Sequence, residues 1–507
     1  MRGERRPGGL GGVRTREDDR DTCGVNEDEL EVALRVLREA GELDQADPAF
    51  VALRRASAGF FKAAKVERRR SRKRSVSAAD RAVVELTATG SASRIDDETA
   101  GLPLTSTARG ATAGRLLVAR SCYMCKQKYV DVDAFYHQLC PDCAAVSHAK
   151  RDARTDLSGR SALLTGGRAK IGMYIALRLL RDGADLTITT RFPHDAVRRF
   201  AQLPDSGDWL HRLRVVGIDL RDPAQVIALT DDVRGRGPLD ILVNNAAQTV
   251  RRLPGAYAPL ARAEQEPLPP ALQHQNGGPE LASFGHASDL HPAALVGSVD
   301  AHPVLEIEGE GGGQASSADR LAAVALTAGS ADLDRIDAGG LVPDVVDTNS
   351  WVQGIGEVSE LELLEVQLCN QTAPFILISR LRAALAASSA RRTYVVNVSA
   401  MEGQFGRRYK GPGHPHTNMS KAALNMLTRT SAGEMLESDG ILMTAVDTGW
   451  ITDERPHQTK VRLASEGFKA PLDLVDGAAR VYDPIVRGEA GEDVHGVFLK
   501  DYAASPW

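Results

Sequence analysis

Apolar and polar positions change their spacing along the chain, and these changes divide it into segments. Between residues 27 and 65 the apolar side chains recur at roughly helical spacing, at Leu30, Ala33, Leu34 and Leu37 and again at Phe50, Leu53, Phe60 and Phe61. Gly41 stands where the first helix would end. The pattern predicts two short amphipathic helices inside a helical segment at 27–87.

Beyond residue 158 short apolar runs alternate with amphipathic stretches. Residues 162–164 and 186–189 have the composition of strands, and residues 171–180 between them have helical periodicity. This alternation is typical of a parallel sheet with helices on both faces. The sequence therefore predicts an α/β fold, with a Rossmann-type doubly wound parallel sheet over residues 158–507.

Three segments lack such a pattern. Residues 1–26 are rich in Arg, Gly and Asp and are predicted to be disordered, because their few apolar side chains do not offset the entropy of ordering. Residues 88–114 have the Thr, Ser, Ala and Gly content of a linker. Residues 250–350 are dominated by Pro, Gly, Ala, Glu and His, so we interpret them as an insertion with a short helix near 318–327.

Charge and hydropathy narrow the class of protein. A net charge of -5 over 507 residues gives no general attraction to nucleic acid or to an anionic membrane. The basic run at residues 67–74, ERRRSRKR, could contact phosphates, but a solvated helix end and linker is the favoured interpretation. Because the chain has no apolar stretch of about 20 residues and no apolar core in its first twenty, we expect a cytoplasmic protein without a membrane partner.

Four of the six cysteines form two CxxC pairs, and we expect residues 115–150 to be a small zinc-ribbon-like module. Fourteen residues separate the first pair from the second, and the four positions are Cys122, Cys125, Cys140 and Cys143. Four thiolates on two turns can converge on one tetrahedral Zn²⁺ and leave no position for water, which indicates a structural metal. A redox dithiol and an iron–sulfur site remain alternatives, and His137 and His148 are expected to be bystanders.

The stretch SALLTGGRAKIG, from Ser161 to Gly172, combines a buried strand, a glycine turn and a helix start. In this arrangement backbone N–H groups approach a pyrophosphate at the positive end of the helix. The stretch resembles the TGxxxGxG motif of the short-chain dehydrogenase/reductase family. The resemblance implies cofactor contacts from Thr165, Gly166, Gly167, Arg168, Lys170, Ile171 and Gly172.

Further motifs follow in the order of that family. The pair Asp219 and Leu220 resembles its adenine contact, and LVNNAA, ending in Asn245, Ala246 and Ala247, resembles its NNAG strand end. Asn370 resembles the family's helix asparagine, and Lys421 resembles its lysine. The stretch DTGWIT at 447–452 resembles the loop beside the nicotinamide, with contacts implied for Thr448, Gly449 and Thr452.

The resemblance covers roughly residues 158–507 apart from the insertion. It implies an NAD(P)-dependent oxidoreductase that transfers a hydride between the cofactor and a small carbonyl or alcohol substrate. It also implies a homodimer or homotetramer. Arg191 stands after the second strand, where NAD-preferring members carry an acidic residue, and Arg168 and Lys170 add two cations, so we expect NADP(H) rather than NAD(H).

The catalytic residues depart from the family pattern. Thr417 replaces the tyrosine four residues before Lys421, and its hydroxyl is far less acidic than a phenol. Ala400 stands at the usual serine position, so Ser399 would serve only if the strand end is turned. Tyr409 could present a hydroxyl from the neighbouring loop, and His414 and His416 are further acid candidates.

Three functions remain in competition. The leading hypothesis is an NADP(H)-dependent oxidoreductase with an atypical proton donor, in which Asn370, Ser399, Tyr409, Thr417 and Lys421 are the candidate catalytic residues. The second is a noncatalytic NADP(H)-binding sensor or scaffold, because the family tyrosine is missing. The least favoured is nucleic-acid binding through the cysteine module and the basic run.

Overall fold

The computed structural model describes residues 26–94, 104–252, 254–284, 337, 339–343, 346–406, 410–452 and 454–507. Apart from Asn26, the segment predicted to be disordered lies outside these residues, as do the predicted helix near 318–327 and Tyr409. The chain divides into two compact units, Met1–Ser77 and Ala78–Trp507.

Helices and strands alternate along most of the described chain. The helices are α1 (Glu27–Glu39), α2 (Pro48–Glu85), α3 (Pro141–Asp152), α4 (Lys170–Arg181), α5 (Pro193–Ala201), α6 (Pro223–Gly235), α7 (Ala258–Gln265), α8 (Glu360–Gln367), α9 (Ala373–Ala386), α10 (Pro415–Asp439), α11 (His457–Ser465) and α12 (Leu474–Glu489). The strands are β1 (Thr112–Ser121), β2 (Lys128–Asp133), β3 (Ser161–Leu164), β4 (Asp185–Thr190), β5 (Leu213–Gly217), β6 (Ile241–Asn244), β7 (Glu280–Ser283), β8 (Thr393–Ser399), β9 (Ile441–Asp447), β10 (Phe498–Lys500) and β11 (Ala503–Ser505).

The N-terminal helices differ from the prediction in length. α1 begins with a capping box, in which the Asn26 side chain accepts from the backbone of Glu29 and the Glu29 side chain accepts from the backbone of Asn26. The prediction of a second short helix is wrong, because α2 continues for 38 residues through the basic run. Arg, Lys, Ala and Glu are good helix formers, so a run of these residues extends a helix rather than ending it.

The predicted Rossmann-type sheet is confirmed. In the described residues its strand order is β11-β10-β9-β8-β6-β3-β4-β5-β7, and every neighbouring pair is parallel except β10 and β11. From β3 the chain builds first toward β4 and β5 and then toward β6 and β8, so the order reverses beside β3. In doubly wound sheets a ligand binds at the carboxyl ends of the strands at this reversal.

Register across the sheet explains why both faces are buried. Leu163 on β3 pairs with Leu242 on β6, which pairs with Val395 on β8, and all three are buried in one apolar cluster. The next row, Leu164 with Val243 and Val396, belongs to the cluster on the opposite face. Continuous apolar runs are the expected signature of parallel strands that helices cover on both sides.

The insertion is predicted to begin at residue 250, but the first part of that segment packs against the sheet and its helices. Within residues 250–284, α7 packs against α5 and β7 pairs with β5 at the edge of the sheet. Glu264 of α7 accepts hydrogen bonds from the backbone N–H groups of His194 and Asp195, at 3.0 and 2.7 Å. An edge strand as short as β7 carries too few apolar residues to produce a recognisable alternation.

The linker prediction is wrong for the segment before residue 95. Thr89 and Arg94 are buried, and the Thr89 hydroxyl lies 2.8 Å from Nδ1 of His137. Polar residues form part of a core when their hydrogen bonds are made inside the protein, and composition alone does not reveal this. Among the helices of the described segments, none combines the length and apolar character that a membrane span requires.

Candidate active site and cysteine cluster

The glycine turn follows β3 and leads into α4. Gly166 has φ +70°, a conformation that favours glycine. A Cβ atom on Gly172 would lie 2.0 Å from the carbonyl oxygen of Gly166, and one on Gly167 would lie 2.5 Å from Ile188. Only glycines therefore let the helix start pack this closely on the strand.

Asn245 and Ala246, at the end of β6, brace this turn. The Thr165 hydroxyl accepts hydrogen bonds from the backbone N–H groups of both residues, each at 3.0 Å. The Asn245 amide donates to the carbonyl oxygens of Thr165 and Gly166, at 3.0 and 3.1 Å. The sequence motif thus forms one hydrogen-bonded unit with the glycine turn.

A cleft of about 390 Å³ opens at this point, which is within the usual size of a small-ligand site. Eleven of the predicted cofactor residues line it: Gly166, Arg168, Lys170, Ile171, Gly172, Arg191, Asp219, Leu220, Asn245, Ala246 and Ala247. Thr165 and Gly167 belong to the turn beneath the cleft. Lys421, Thr448, Gly449 and Thr452 are not among the residues that line it.

The three predicted cations have different surroundings. Arg168 pairs with Asp195 and donates to the Gly339 carbonyl oxygen at 2.7 Å. Lys170 has φ +53°, so the backbone accepts a side chain at the motif's glycine position, and its ammonium lies 3.4 Å from the Asp337 carboxylate. Arg191 instead lies over the rings of Phe192 and Tyr257.

Asp219, which also lines the cleft, is held by Arg221, a residue that the sequence analysis did not predict. The guanidinium contacts both carboxylate oxygens, and it also pairs with Glu365 at 3.0 Å. Burial would raise the pKa of Asp219, but the Arg221 guanidinium keeps it below its ordinary value. Arg221 directly follows the predicted pair Asp219 and Leu220, so a cation two residues from Asp219 could have been noticed in the sequence.

Asn370 lies in a π-helical turn between α8 and α9 and is buried. Its side chain accepts from the backbone N–H of Gln248 at 2.7 Å and donates to the carbonyl oxygen of the same residue at 2.9 Å. π-Helical turns are frequent at functional sites because they reorient one side chain. Here the turn fixes the segment that follows β6.

Lys421 and Thr417 lie one turn apart on α10, and both are buried. The Lys421 ammonium donates to the Val398 carbonyl oxygen at 2.8 Å, and burial lowers the pKa of Lys421 to about 8. The Thr417 hydroxyl lies 3.4 Å from Nε2 of His416, and burial lowers the pKa of this histidine. His414 stacks on Trp351 with ring centroids 4.1 Å apart.

Ser399 would serve as the catalytic serine only if the end of β8 were turned, and it is not. β8 stays regular through Ser399, which pairs with Asp447 of β9. Its hydroxyl donates to the Asn425 side-chain oxygen at 2.6 Å, between the strand and α10. The strand end is not turned, and the hydroxyl is already engaged with Asn425.

The loop after β9 contains the predicted Thr448, Gly449 and Thr452. Gly449 has φ +80°, and its N–H donates to the Asp447 carboxylate at 3.1 Å. The next N–H, that of Trp450, donates to the Tyr123 hydroxyl at 2.9 Å. This loop therefore contacts the cysteine module directly.

The four cysteines converge as their spacing predicts. Their sulfur atoms all lie within 4.8 Å of one another, and Cys125 and Cys140 are 3.7 Å apart. Four sulfurs at about 2.3 Å from one Zn²⁺ in a tetrahedron would be separated by about 3.8 Å, so the group fits this ion. His137 bonds to Thr89, and His148 bonds to Asp133 at 3.2 Å.

Comparison with known proteins relates one part of the chain to a known family. Residues 160–261 match the family model described as short chain dehydrogenase. An uncharacterized protein of Acanthamoeba polyphaga mimivirus is 31% identical over 379 residues, which is 72% of this chain and 71% of that protein. Residues 160–261 are therefore similar to the short-chain dehydrogenase family.

Two further similarities concern parts of the molecule. A probable oxidoreductase of Streptomyces antibioticus is 40% identical over 91 residues, covering 18% of this chain and only 30% of the relative. The Pseudomonas aeruginosa RhlG/NADP active-site complex is 19% identical, with a TM-score of 0.41, over 68% of this chain and 95% of that chain.

The buried carboxyl of Asp447 makes the stability of the protein depend on pH. Burial raises the pKa of its carboxyl to about 6, with Asp501 and Glu402 adding to the effect and the Gly449 N–H and Lys500 opposing it. A raised pKa means that stability present at low pH is lost as the pH rises through about 6. Asp447→Asn should therefore increase the free energy of unfolding at pH 7.5 by about 2–3 kcal/mol.

The measurement is urea unfolding of the wild type and Asp447→Asn between pH 4 and 8. The stability difference should shrink toward pH 4, because both side chains are then neutral. A wild type that is as stable as the variant at pH 7.5 would contradict the claim that the buried, ionised Asp447 carboxylate destabilises the folded state.

Proposed function

We propose that this protein is an NADP(H)-dependent oxidoreductase that transfers a hydride between the nicotinamide and a small carbonyl or alcohol substrate. The observation that carries the proposal is the glycine turn after β3, which Asn245 and Ala246 brace beside a cleft at the reversal of strand order. The cofactor supplies the hydride chemistry, and the protein binds, orients and protonates.

Lys421 and Asn370 are the proposed organisers of the catalytic end. A buried ammonium at Lys421 would lower the energy of an oxyanion that forms during reduction. The proposed proton donors are Thr417, at the family's tyrosine position, and Tyr409 on the preceding loop. Ser399 is the weakest member of the predicted set, because its hydroxyl is engaged with Asn425.

Cofactor preference should depend on Arg191. Arg168 and Lys170 each have a carboxylate partner, whereas Arg191 lies on two aromatic rings at the cleft, so it is our proposed ligand of the 2′-phosphate. Arg191→Ala should weaken NADPH binding about tenfold or more and leave NADH binding within about threefold. Only NADPH carries the 2′-phosphate, so only NADPH loses a charged hydrogen bond when the guanidinium is removed.

Fluorescence titration with both dinucleotides measures this preference. Arg198→Ala is the matched control, because it removes a neighbouring cation whose guanidinium donates to the Ala263 and Glu266 carbonyl oxygens. Equal affinity of the wild type for NADPH and NADH would contradict the assignment.

A noncatalytic NADP(H) sensor is the second candidate function. The observation in its favour is the engaged Ser399 hydroxyl together with a threonine at the tyrosine position. Single-turnover absorbance of bound NADPH with aldehydes, ketones and quinones separates the two. Oxidation by any panel member supports the oxidoreductase, whereas tight binding without oxidation supports the sensor.

We also propose that the four cysteines bind one structural Zn²⁺. The 3.7 Å separation of Cys125 and Cys140 and the four-sulfur set support this metal. Cys122 directly follows β1 and Cys140 directly precedes α3, so the ion would link a strand end, a turn and a helix start. Four thiolates leave no open coordination position for catalysis.

A homo-oligomer is the proposed assembly. α9 and α10 expose the large apolar side chains of Phe375 and Met426, which are 56% and 54% accessible. Exposed apolar patches on helices commonly mark protein interfaces. Sedimentation at micromolar concentration tests this assembly, and a monomeric profile would contradict it.

A further inference from the structure

Residues 450–472 form a segment that leaves β9, contains α11 and returns to α12. Glu454 in this segment lines the cleft, and its carboxylate lies 3.9 Å from the Arg252 guanidinium. The placement of the segment therefore affects the wall of the dinucleotide site. Both of its ends are held by residues from the first 150 of the chain.

The first end contacts the cysteine module. Tyr123 lies between Cys122 and Cys125, and its hydroxyl accepts the hydrogen bond from the Trp450 N–H at 2.9 Å.

The second end is tied to the first through Arg94, which is only 5% exposed. Its guanidinium donates to the carbonyl oxygen of Ile451 at 3.3 Å and to those of Ala470 and Leu472 at 2.7 and 2.6 Å. One buried cation thus joins residues that lie 19 and 21 positions apart in the sequence, by their numbers. Gln138 adds a bond to the Lys469 carbonyl oxygen at 3.2 Å.

Apolar packing reinforces these ties. Ile451 and Leu472 belong to the same buried cluster as Cys122, Tyr136 and Leu139. A carbonyl oxygen that loses a buried charged donor is left unsatisfied, which costs more than a neutral surface bond. The ends of the segment can therefore move only if their contacts with the module are broken.

We propose that Tyr123 and Arg94 are positioning residues, through which the cysteine module and the segment before residue 95 fix the 450–472 segment at the dinucleotide cleft. The module then acts on cofactor binding without touching the cofactor. The consequence for cofactor binding rests on the proposed function, but the contacts of Tyr123 and Arg94 with the segment do not depend on it.

Hydrogen–deuterium exchange and NADPH titration of the full chain test this proposal with Tyr123→Phe. The variant removes one hydroxyl and leaves all four cysteines in place. Amide exchange at 450–452 and 469–472 should rise about threefold to tenfold, and the Kd for NADPH should rise by a similar factor. The melting temperature and metal content should stay near those of the wild type.

Tyr129→Phe is the matched control. The Tyr129 hydroxyl donates to the His137 carbonyl oxygen at 2.7 Å, inside the module, so its removal should leave exchange at 450–472 and the Kd unchanged. Equal increases in amide exchange and Kd in both variants would overturn the proposal, because a general loss of module stability rather than the Tyr123–Trp450 hydrogen bond would be responsible. Unchanged exchange in Tyr123→Phe would also overturn it.

The two levels of the proposal give different results. Faster amide exchange at the ends of the segment in Tyr123→Phe alone, with a wild type that binds no NADPH, would support the contact between Tyr123 and the segment and refute the proposed function. If the wild type binds NADPH and Tyr123→Phe shows faster exchange but the same Kd as the wild type, the effect of the segment on the cleft is overturned. A rise in both quantities in Tyr123→Phe alone supports the whole proposal.

Discussion

Replacing Lys421 by methionine should reduce the rate of NADPH oxidation about 100-fold or more. Methionine keeps the buried aliphatic stem but removes the ammonium that donates to Val398. A preorganised cation in a dry site stabilises developing negative charge far more than it would in water. The effect should fall mainly on kcat, because the charge is needed in the transition state.

Single-turnover kinetics at saturating NADPH measure this loss. Lys500→Met is the matched control, since Lys500 lies at the carboxyl end of β10 with its ammonium 3.0 Å from the Met401 sulfur. It should retain activity within about threefold. A fully active Lys421→Met variant would show that reduction does not use this ammonium.

Replacing Cys140 by serine should release the metal and destabilise the protein. A structural zinc contributes about 10 kcal/mol or more of binding free energy to folding, and the module packs directly on residues 451 and 472. We expect the metal content to fall from about one per chain to near zero. The melting temperature should fall by roughly 10 °C.

Elemental analysis and thermal unfolding check this result, with Cys369→Ser as the control. Cys369 is also a free cysteine, but it lies beside the cleft rather than in the cluster. Its variant should keep the metal. A Cys140→Ser protein with full metal content would contradict the four-thiolate site.

The sheet and glycine turn were predictable because local patterns specify them. The runs at Leu163 and Leu242 are apolar on both faces, and Gly166 and Gly172 are required by backbone approach that no other residue allows. The four cysteines carry their own spacing code. Such features depend on residues close together in the sequence.

The remaining features depend on contacts between distant residues. Arg94 resembles part of a polar linker, yet its acceptors Ile451, Ala470 and Leu472 lie more than 350 positions away. Tyr257 and β7 lie in a stretch whose composition indicates an insertion, because edge elements need little apolar surface. The engagement of Ser399 by Asn425 likewise requires the packing of α10 on β8.

Equilibrium titration of the wild type with NADPH, followed by nicotinamide fluorescence, tests the central claim most directly. Gly172→Ala is the comparison, because its Cβ would meet the Gly166 carbonyl oxygen at the glycine turn. We predict one saturable site per chain in the wild type and a loss of at least about tenfold in affinity in the variant. A wild type without saturable binding, or a folded Gly172→Ala that binds equally well, would contradict a dinucleotide site at this turn.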